Sequence, residues 1–258
     1  MSTLLRFYRV VRRDWLLSLC AIILVMIVLV SVLGIYFTGY DYQAISNDSL
    51  QPPSFAHWCG TDLHGRDLLT RALYGAQISL KIAAFATLVS LIVGVTYGMV
   101  SGYAGGRVDN FMMRLIEIVY SLPTLILVIV LVATLENSVI ALLKALGLSS
   151  ISPRFVLLFV FIGLTEWLTM ARIIRGQVLV LKQQPFVHAS LALGQSHARI
   201  LFKHLLPNLS GIILVYLTLT VPQVMLDESF LSFLGLGVQA PDASWGTLIS
   251  EAVALLNP

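Results

Sequence analysis

Long apolar runs separated by short polar segments make up most of this 258-residue chain. A helix needs about 20 residues to cross the hydrocarbon core of a bilayer, and five runs approach or exceed that length. We expect membrane-spanning helices at 16–37, 82–100, 115–135, 155–171 and 209–226. The pattern therefore predicts an all-α polytopic membrane protein with five spans.

The first run and one shorter run need separate interpretation. Residues 16–37 carry no charge and are longer than the apolar region of a cleaved signal peptide, so we expect a retained anchor. The run at 138–148 contains Lys144 and is too short to cross a bilayer. It is expected to be an interfacial or re-entrant helix.

The composition agrees with a membrane location. Only 11% of the residues are charged and 58% are hydrophobic, with a mean hydropathy of +0.90. A soluble domain carries about 25% charged residues, so this chain cannot cover a water-facing surface. Membrane lipid is the expected surrounding, and no nucleic-acid partner is expected. Cys20 and Cys59 should lie at different levels of the membrane, so no intrachain disulfide is expected.

The distribution of Lys and Arg predicts the orientation, because cytoplasmic loops are enriched in both. A cytoplasmic N-terminus puts eleven of the sixteen basic residues inside or at the inner boundary. These are Arg6, Arg9, Arg12, Arg13, Arg107, Arg114, Arg172, Arg175, Lys182, Arg199 and Lys203. Residues 38–80 then form an extracytoplasmic loop.

Three glycines predict close helix packing. Gly94, Gly98 and Gly102 recur every four residues and so share one helix face, where a neighbouring backbone can approach closely. The alternative is a locally flexible helix. Pro123 and Pro222 lie within predicted spans and should bend them, either to shape the bundle or to provide a hinge.

One motif has the glycine spacing of a phosphate-binding loop but not its chemistry. In "GTDLHGRD", residues 60–67, Arg66 replaces the lysine, Asp67 replaces the magnesium-binding hydroxyl, and no strand precedes the loop. We therefore predict that this chain binds no nucleotide. If ATP drives the protein, another subunit binds it.

Two carboxylates fall within predicted spans, and such residues are candidates for a transport pathway because they are costly in lipid. Arg114 precedes Glu117 by three residues, so a same-helix ion pair would neutralise both. Glu166 has no basic residue within one turn. It could face a water-filled path, be protonated, or pair across helices.

Neither a metal site nor a catalytic site is expected. His197 and His204 share a helix face but lie about 10 Å apart by helix rise, too far for one ion. With His188, they are better explained as part of a solvated basic face. The chain has no Ser/His/Asp set and no close carboxylate pair positioned for hydrolysis. An enzyme is therefore not expected.

The segment "HASLALGQSHARILFKHLLPN", residues 188–208, predicts two short helices between the last two spans. Pro185 suits the first turn of a helix over 185–193, and Gly194 suits a left-handed residue that ends it. Ser196 is a suitable N-cap for a second helix, which Pro207 is expected to break. The residues alone leave two alternatives: a helix at the lipid interface, or a docking helix for a cytoplasmic partner.

The same segment resembles the cytoplasmic signature loop of binding-protein-dependent ABC importer permeases: Glu-Ala-Ala, three residues, Gly, nine residues, Ile-x-Leu-Pro. The spacing matches throughout, but His188 replaces Glu, Ser190 replaces Ala and His204 replaces Ile. The resemblance implies that the loop couples the membrane domain to an ATPase. Its candidate coupling residues are Val187, His188, Ala189, Ser190, Ala192, Gly194, Ile200, His204, Leu206 and Pro207.

Further blocks resemble the C-type permease of oligopeptide and dipeptide importers. They are "GTDLHGRDLLTRALYGAQISL", "GYAGGRVDNFMMRLIEI", "SLPTLILVIVL" and "LSFLGLGVQAPDASWGTLI". The family resemblance implies a type I ABC importer transmembrane domain in the bacterial cytoplasmic membrane. It divides the chain into an N-terminal segment and anchor (1–37), the exterior loop (38–80) and a permease domain (81–258) containing the coupling loop 176–208. Complete relatives have six spans, and "EAVALLNP" falls about where the sixth should begin.

The resemblance also implies partners and a substrate class. The partners are a B-type permease, two cytoplasmic ATPases that bind ATP and Mg²⁺, and an extracytoplasmic binding protein. The expected function is half of a translocation pathway for peptides. Alternatives are import of nickel chelates or glutathione by the same machinery, an ion-driven secondary transporter in which Glu117 and Glu166 hold the ion, and a membrane scaffold.

Overall fold

The computed structural model describes residues 15–148, 153–238 and 242–256, and the regular elements within them are helices. They are α1 (Trp15–Thr38), α2 (Leu68–Val89), α3 (Val95–Ala104), α4 (Gly106–Ser121), α5 (Thr124–Ala145), α6 (Pro153–Leu181), α7 (Pro185–Ala192), α8 (His197–Arg199), α9 (Leu206–Phe233) and α10 (Trp245–Leu256). π-helical turns at Ser90–Gly94 and Ile200–Leu205 join α2 to α3 and α8 to α9.

Five helices in the described part of the chain are long and apolar enough to cross a membrane. They are Ser18–Thr38, Leu68–Ala104, Leu125–Ala145, Pro153–Leu181 and His197–Phe233. The predicted all-α class and five spans are therefore confirmed. α10 is apolar but shorter than a span.

The third predicted span, 115–135, is wrong. Leu122 and Pro123 are both extended, with ψ of 129° and 121°, so α4 ends at Ser121 and α5 begins at Thr124. The proline ring disfavours helical backbone at the residue before it, which explains the break. Residues 138–145 of the run at 138–148 are consequently the C-terminal part of α5, and the run is not a separate interfacial helix. Glu117 lies on α4, outside the spanning helices.

The expected break at Pro207 is also wrong. Helix continues from His197 to Phe233, and Pro207 lies in the first turn after the π-helical turn Ile200–Leu205. A π turn alters the helical hydrogen-bond register, so Pro207 stands where the regular α-helical ladder is already interrupted. The side-chain amide of Asn208 also donates to the carbonyl of His204 at 2.7 Å. The loop between α6 and α9 is thus continuous with the last span.

α2–α3, α6 and α9 form the centre of the bundle, whereas α1 and α5 expose most of their apolar side chains to the surroundings. Two buried clusters hold this centre together. One contains Ile82, Ala86, Phe161, Ile162, Val224 and Leu231, and the other contains Val95, Met99, Ile174, Val178, Ile200 and Leu205. The second cluster includes residues of the loop itself.

The glycine face packs directly on α6. A Cβ atom on Gly94 would lie 2.8 Å from the Trp167 carbonyl oxygen, and one on Gly98 would overlap the Ala171 carbonyl oxygen. A Cβ on Gly102 would lie 2.8 Å from the Arg175 carbonyl oxygen. The two backbones can approach this closely only because these positions lack side chains.

The "GTDLHGRD" loop is a structural ion-pair centre. Arg71 is fully buried and its guanidinium binds Asp62 at 2.7 Å and Glu251 of α10 at 2.5 and 2.9 Å. Burial acts to raise the pKa of Asp62, but hydrogen bonds from the N–H and guanidinium of Arg66 and the N–H of His64 outweigh it and lower that pKa. The loop therefore attaches α10 to the start of α2.

Candidate functional site

The loop between α6 and α9 has the caps that its sequence predicts. Pro185 is in the first turn of α7, and Gly194 adopts φ +71°, a conformation that glycine tolerates best. The Ser196 hydroxyl accepts from the Arg199 N–H at 3.4 Å. The turn at Gly194 thus directs the chain from α7 into the long helix that starts at His197.

One side of this loop is anchored in the bundle. Val187, Ile200 and Leu205 are almost completely buried and belong to the same cluster as Met99 of α3 and Val178 of α6. Because the loop packs on two spanning elements, displacement of the loop must also displace the ends of those elements. Leu206 is half-buried against the same cluster.

Apolar side chains elsewhere on the loop are uncovered, beside the exposed basic side chains of His188, Arg199 and Lys203. Leu193 is 80% exposed and Phe202 60% exposed, and Phe186 and Leu191 are also exposed. His188, Ala189, Ala192 and Pro207 lie on the exposed surface as well. We call the exposed side chains of Phe186, Ala189, Leu191, Leu193 and Phe202 the outer loop face.

The three family departures have different local roles. The Ser190 hydroxyl donates to the Phe186 carbonyl at 2.8 Å within α7. His204 Nε2 contacts Gln195 Oε1 at 2.9 Å, so this histidine connects the π turn to the Gly194 turn. His188 remains exposed. Among the described residues no group of His, Cys, Asp and Glu is arranged to hold a metal ion.

A second feature lies between α6 and α9, where polar side chains recur at helical spacing inside spanning helices. We call it the polar groove. It is lined on α6 by Glu166 and Thr169 and on α9 by Tyr216, Thr220, Gln223 and Asp227. Of these residues, sequence analysis proposed only Glu166. On α9 the sequence signal is the spacing of polar residues four, three and four apart at Tyr216, Thr220, Gln223 and Asp227, which puts them on one helix face.

α4 closes one end of the polar groove. The Tyr120 hydroxyl is 2.6 Å from Thr169 Oγ1, and the Arg172 guanidinium lies 4.2 Å above the Tyr120 ring. Glu117 lies on this helix beside Arg114, Arg172 and Arg175, and these residues line one open cavity. The predicted Arg114–Glu117 ion pair is absent from the ion pairs of the described residues.

Comparison with known proteins identifies the family. Residues 94–256 match the model for the inner membrane component of binding-protein-dependent transport systems. That match covers more than half of the chain and includes the loop, the glycine face and the polar groove. This chain belongs to that family. It is therefore a multi-pass transport component of an inner membrane.

Individual relatives extend the match to nearly the whole of this chain. This chain is 42% identical to the oligopeptide transport system permease protein OppC of Bacillus subtilis, over 99% of this chain and 78% of that protein. It is 43% identical to the dipeptide transport system permease protein DppC of the same organism, over 90% of this chain and 68% of that protein. The OppC protein of Escherichia coli is 42% identical over 89% of this chain and 72% of its own length.

Proposed function

We propose that this chain is the C-type permease subunit of an ATP-driven peptide importer in the bacterial cytoplasmic membrane. It would pair with a B-type permease to enclose the translocation pathway. Two cytoplasmic ATPases would bind ATP and Mg²⁺, and an extracytoplasmic binding protein would deliver the substrate. The chain itself would bind no nucleotide.

The observation that carries the proposal is the two-sided construction of the loop. Its inner side is packed into the cluster with Met99 and Val178, and its outer loop face exposes apolar side chains. An apolar surface on a firmly anchored loop suits a protein partner whose movement must be transmitted to the spans. ATPase closure would move the loop, and the loop would move α6 and α9.

The proposed orientation has the N-terminus in the cytoplasm. It puts the Lys and Arg residues of α4, of the C-terminal half of α6 and of the segment just before α9 at the inner side, in agreement with the enrichment of Lys and Arg in cytoplasmic loops. The outer loop face then meets the compartment that holds ATP. The ion-pair centre of Arg71, Asp62 and Glu251 would lie on the exterior, where the binding protein docks.

Peptide is the proposed substrate because the relatives are named oligopeptide and dipeptide permeases. None of the relatives compared above is named for nickel chelates or glutathione, so these two serve as the comparison substrates in the test. The assembled importer is tested for uptake of a labelled tripeptide, of glutathione and of a nickel chelate. This comparison shows which of the three substrates it transports. Peptide uptake that requires ATP and this chain supports the proposal, and uptake of only nickel or glutathione contradicts the proposed substrate.

Docking is tested by cross-linking in the assembled, transport-active complex. A cysteine at Ala189, on the outer loop face, is paired with cysteines in the surface groove of the ATPase. The matched control is a cysteine at Val215, which is exposed on α9 away from the loop. Cross-linking at 189 and none at 215 is expected. No cross-link at 189 in an active complex would show that the docking assignment is wrong.

Purification of the complex provides the broader test. ATPase subunits and a second permease should purify with this chain in mild detergent. An ion-driven transporter or a scaffold would not require them.

A further inference from the structure

The polar groove extends along the membrane-spanning part of α9. Tyr216 and Asp227 are eleven residues apart on that helix. Their separation is about 16 Å by helix rise, and the core of a bilayer is about 30 Å thick. Two cavities of about 380 and 320 Å³ lie along this length, and Glu166 and Thr169 line both of them. The two cavities therefore adjoin and form one polar feature between α6 and α9.

The polar side chains occupy one face of α9, and exposed side chains away from that face are apolar. Leu214, Val215 and Leu226 are each more than half exposed and line neither cavity. A helix that contacts lipid on its whole exposed surface has no need of a polar face, because lipid tails offer no hydrogen-bonding partners. The groove therefore requires a surrounding other than lipid.

The two acidic side chains of the groove indicate what that surrounding is. The carboxyl groups of Glu166 on α6 and Asp227 on α9 hydrogen-bond each other. They must share a proton, because two adjacent negative charges repel strongly, and the pair then retains one negative charge. No cation of the described residues forms an ion pair with either group. Such a charge inside a membrane domain calls for contact with water.

The rest of the groove offers uncharged hydrogen-bonding groups. The side chains of Thr169 and Gln223 are exposed, and those of Tyr216 and Thr220 are half-buried. Peptide groups that leave bulk water need donors and acceptors of this kind, whatever the side chains of the peptide. The groove therefore suits a substrate class that is defined by its backbone.

The two walls of the groove are also the two helices that the loop joins. The loop lies between the end of α6 and the start of α9 and packs on the buried cluster that contains Val178 of α6. A displacement of the loop must therefore move both walls. This arrangement connects the surface proposed for ATPase docking with the groove.

We propose that the polar groove is one wall of the water-filled path along which the peptide crosses the membrane. This inference rests on the proposed function and identifies the surface that lines its pathway. The second permease supplies the opposite wall, and water fills the space between the two walls when no peptide is present. The competing arrangement is a dry contact in which helices of the second permease cover the groove.

The test measures which positions of α9 are in contact with water. Cys20→Ser and Cys59→Ser first remove the two exposed native thiols. Thr220→Cys and Gln223→Cys then introduce single thiols in the groove. The matched controls are Leu214→Cys and Leu226→Cys, which introduce thiols on the same helix away from the groove.

Each variant is reconstituted in proteoliposomes as the complete importer with its binding protein, and its uptake of trialanine is recorded. A water-soluble cationic thiol reagent is then added, and the modification of this chain is followed by mass spectrometry. The reagent modifies the thiolate, which forms in contact with water and is suppressed in apolar surroundings.

The thiols in the groove should react about ten times faster, or more, than those of the two controls. Complete modification of Thr220→Cys or Gln223→Cys should also stop the uptake of trialanine, because the attached group obstructs the path. Equal rates at all four positions would overturn the inference. Normal uptake after complete modification in the groove would overturn it as well. Thr169→Cys, which keeps the size of the side chain, replaces a groove variant that does not assemble.

The dry contact predicts a different result. Thiols in the groove would then stay unreactive and would form disulfides with cysteines in the facing helices of the second permease, which contradicts a water-filled path. Unreactive groove thiols in an importer that takes up trialanine contradict the inference alone. A wild-type importer that takes up no peptide contradicts the proposed function.

Discussion

The guanidinium of Arg175 on α6 holds both carboxylate oxygens of Asp109 on α4, each at 2.6 Å. Asp109 also accepts from the Ser101 hydroxyl of α3 at 2.6 Å, so one carboxylate connects three helices. The hydrogen bond from Arg175 lowers the pKa of Asp109 and outweighs the opposing effect of burial. This carboxylate fixes the amphipathic helix α4 at the end of the spanning bundle.

Asp109→Asn is expected to destabilise the permease by about 2 kcal/mol at neutral pH, because it removes a charge-assisted pair. A pKa that is lowered in the folded state stabilises the protein above the pKa of the unfolded state, which is about 3.9, and the stabilisation is lost as the pH falls below it. Melting temperatures of wild type and Asp109→Asn should therefore converge below about pH 4. Thermal unfolding of the detergent-solubilised complex measures this difference.

Glu136→Gln is the matched control for that measurement. Glu136 pairs with Arg154 at 2.8 Å, but each side chain is about 30% exposed. Glu136→Gln should therefore lower the free energy of unfolding by less than about 1 kcal/mol. If both variants lost the same stability, the Asp109 carboxylate would have no special structural role.

Gly194→Val should uncouple ATP hydrolysis from uptake. Nothing lies within 4 Å of a Cβ at this position, so the effect comes from the φ of +71°, which a β-branched residue strongly resists. The turn would change, and with it the direction of α7 and the outer loop face. ATPase activity and peptide uptake are measured on the same proteoliposomes, and ATPase activity should persist while uptake falls. Gly194→Asn is the control, since asparagine tolerates this conformation. Normal coupled uptake by Gly194→Val would contradict the role given to the turn.

Gly98→Val should destabilise the bundle by about 1–3 kcal/mol, because the added side chain overlaps the Ala171 carbonyl and forces α3 away from α6. A lower melting temperature and a lower yield of assembled complex are expected. Gly211→Val on α9 is the control, because no atom lies within 4 Å of its Cβ. Equal effects of the two substitutions would show that helix propensity, and not close packing, explains the glycine.

Glu228→Ala should lower the free energy of unfolding by about 2–3 kcal/mol. Glu228 is fully buried and accepts from Ser79 of α2 and Ser232 of α9, each at 2.7 Å, so its removal leaves two buried hydroxyls without their acceptor. Glu228→Gln keeps one acceptor and the shape of the side chain, and it should retain most of the stability. Thermal unfolding of both variants checks the order, and an unaffected Glu228→Ala would mean that these hydroxyls find other partners.

The number of spans and the caps of the loop could be read from the sequence, because both depend on local features. Run length identifies a span, and Pro185, Gly194 and Ser196 each act within one turn of their own backbone. Hydropathy cannot locate the third span, because the apolar run continues through Leu122 and Pro123 whereas the backbone changes direction there. The continuous helix at Pro207 is equally hidden, because the π turn before it has no clear composition signal.

The groove could be predicted only in small part. Glu166 is recognisable as a carboxylate within an apolar run, whereas Asp227 lies just outside the predicted span 209–226, where a charged residue is ordinary. Which side chains meet depends on how α4, α6 and α9 are rotated about their axes, and that rotation is set by packing between helices distant in sequence.

By itself, the sequence determined that this is a helical membrane protein with five apolar spans, a basic loop between the last two, and a match to importer permeases. These properties follow from local composition, run length and motif spacing. Only the tertiary structure decided that Val187 and Leu205 anchor the loop, that Arg175 neutralises Asp109, and that Glu166 and Asp227 line one cavity. Those relationships join residues far apart in the chain, and the close packing that creates them has no local signature.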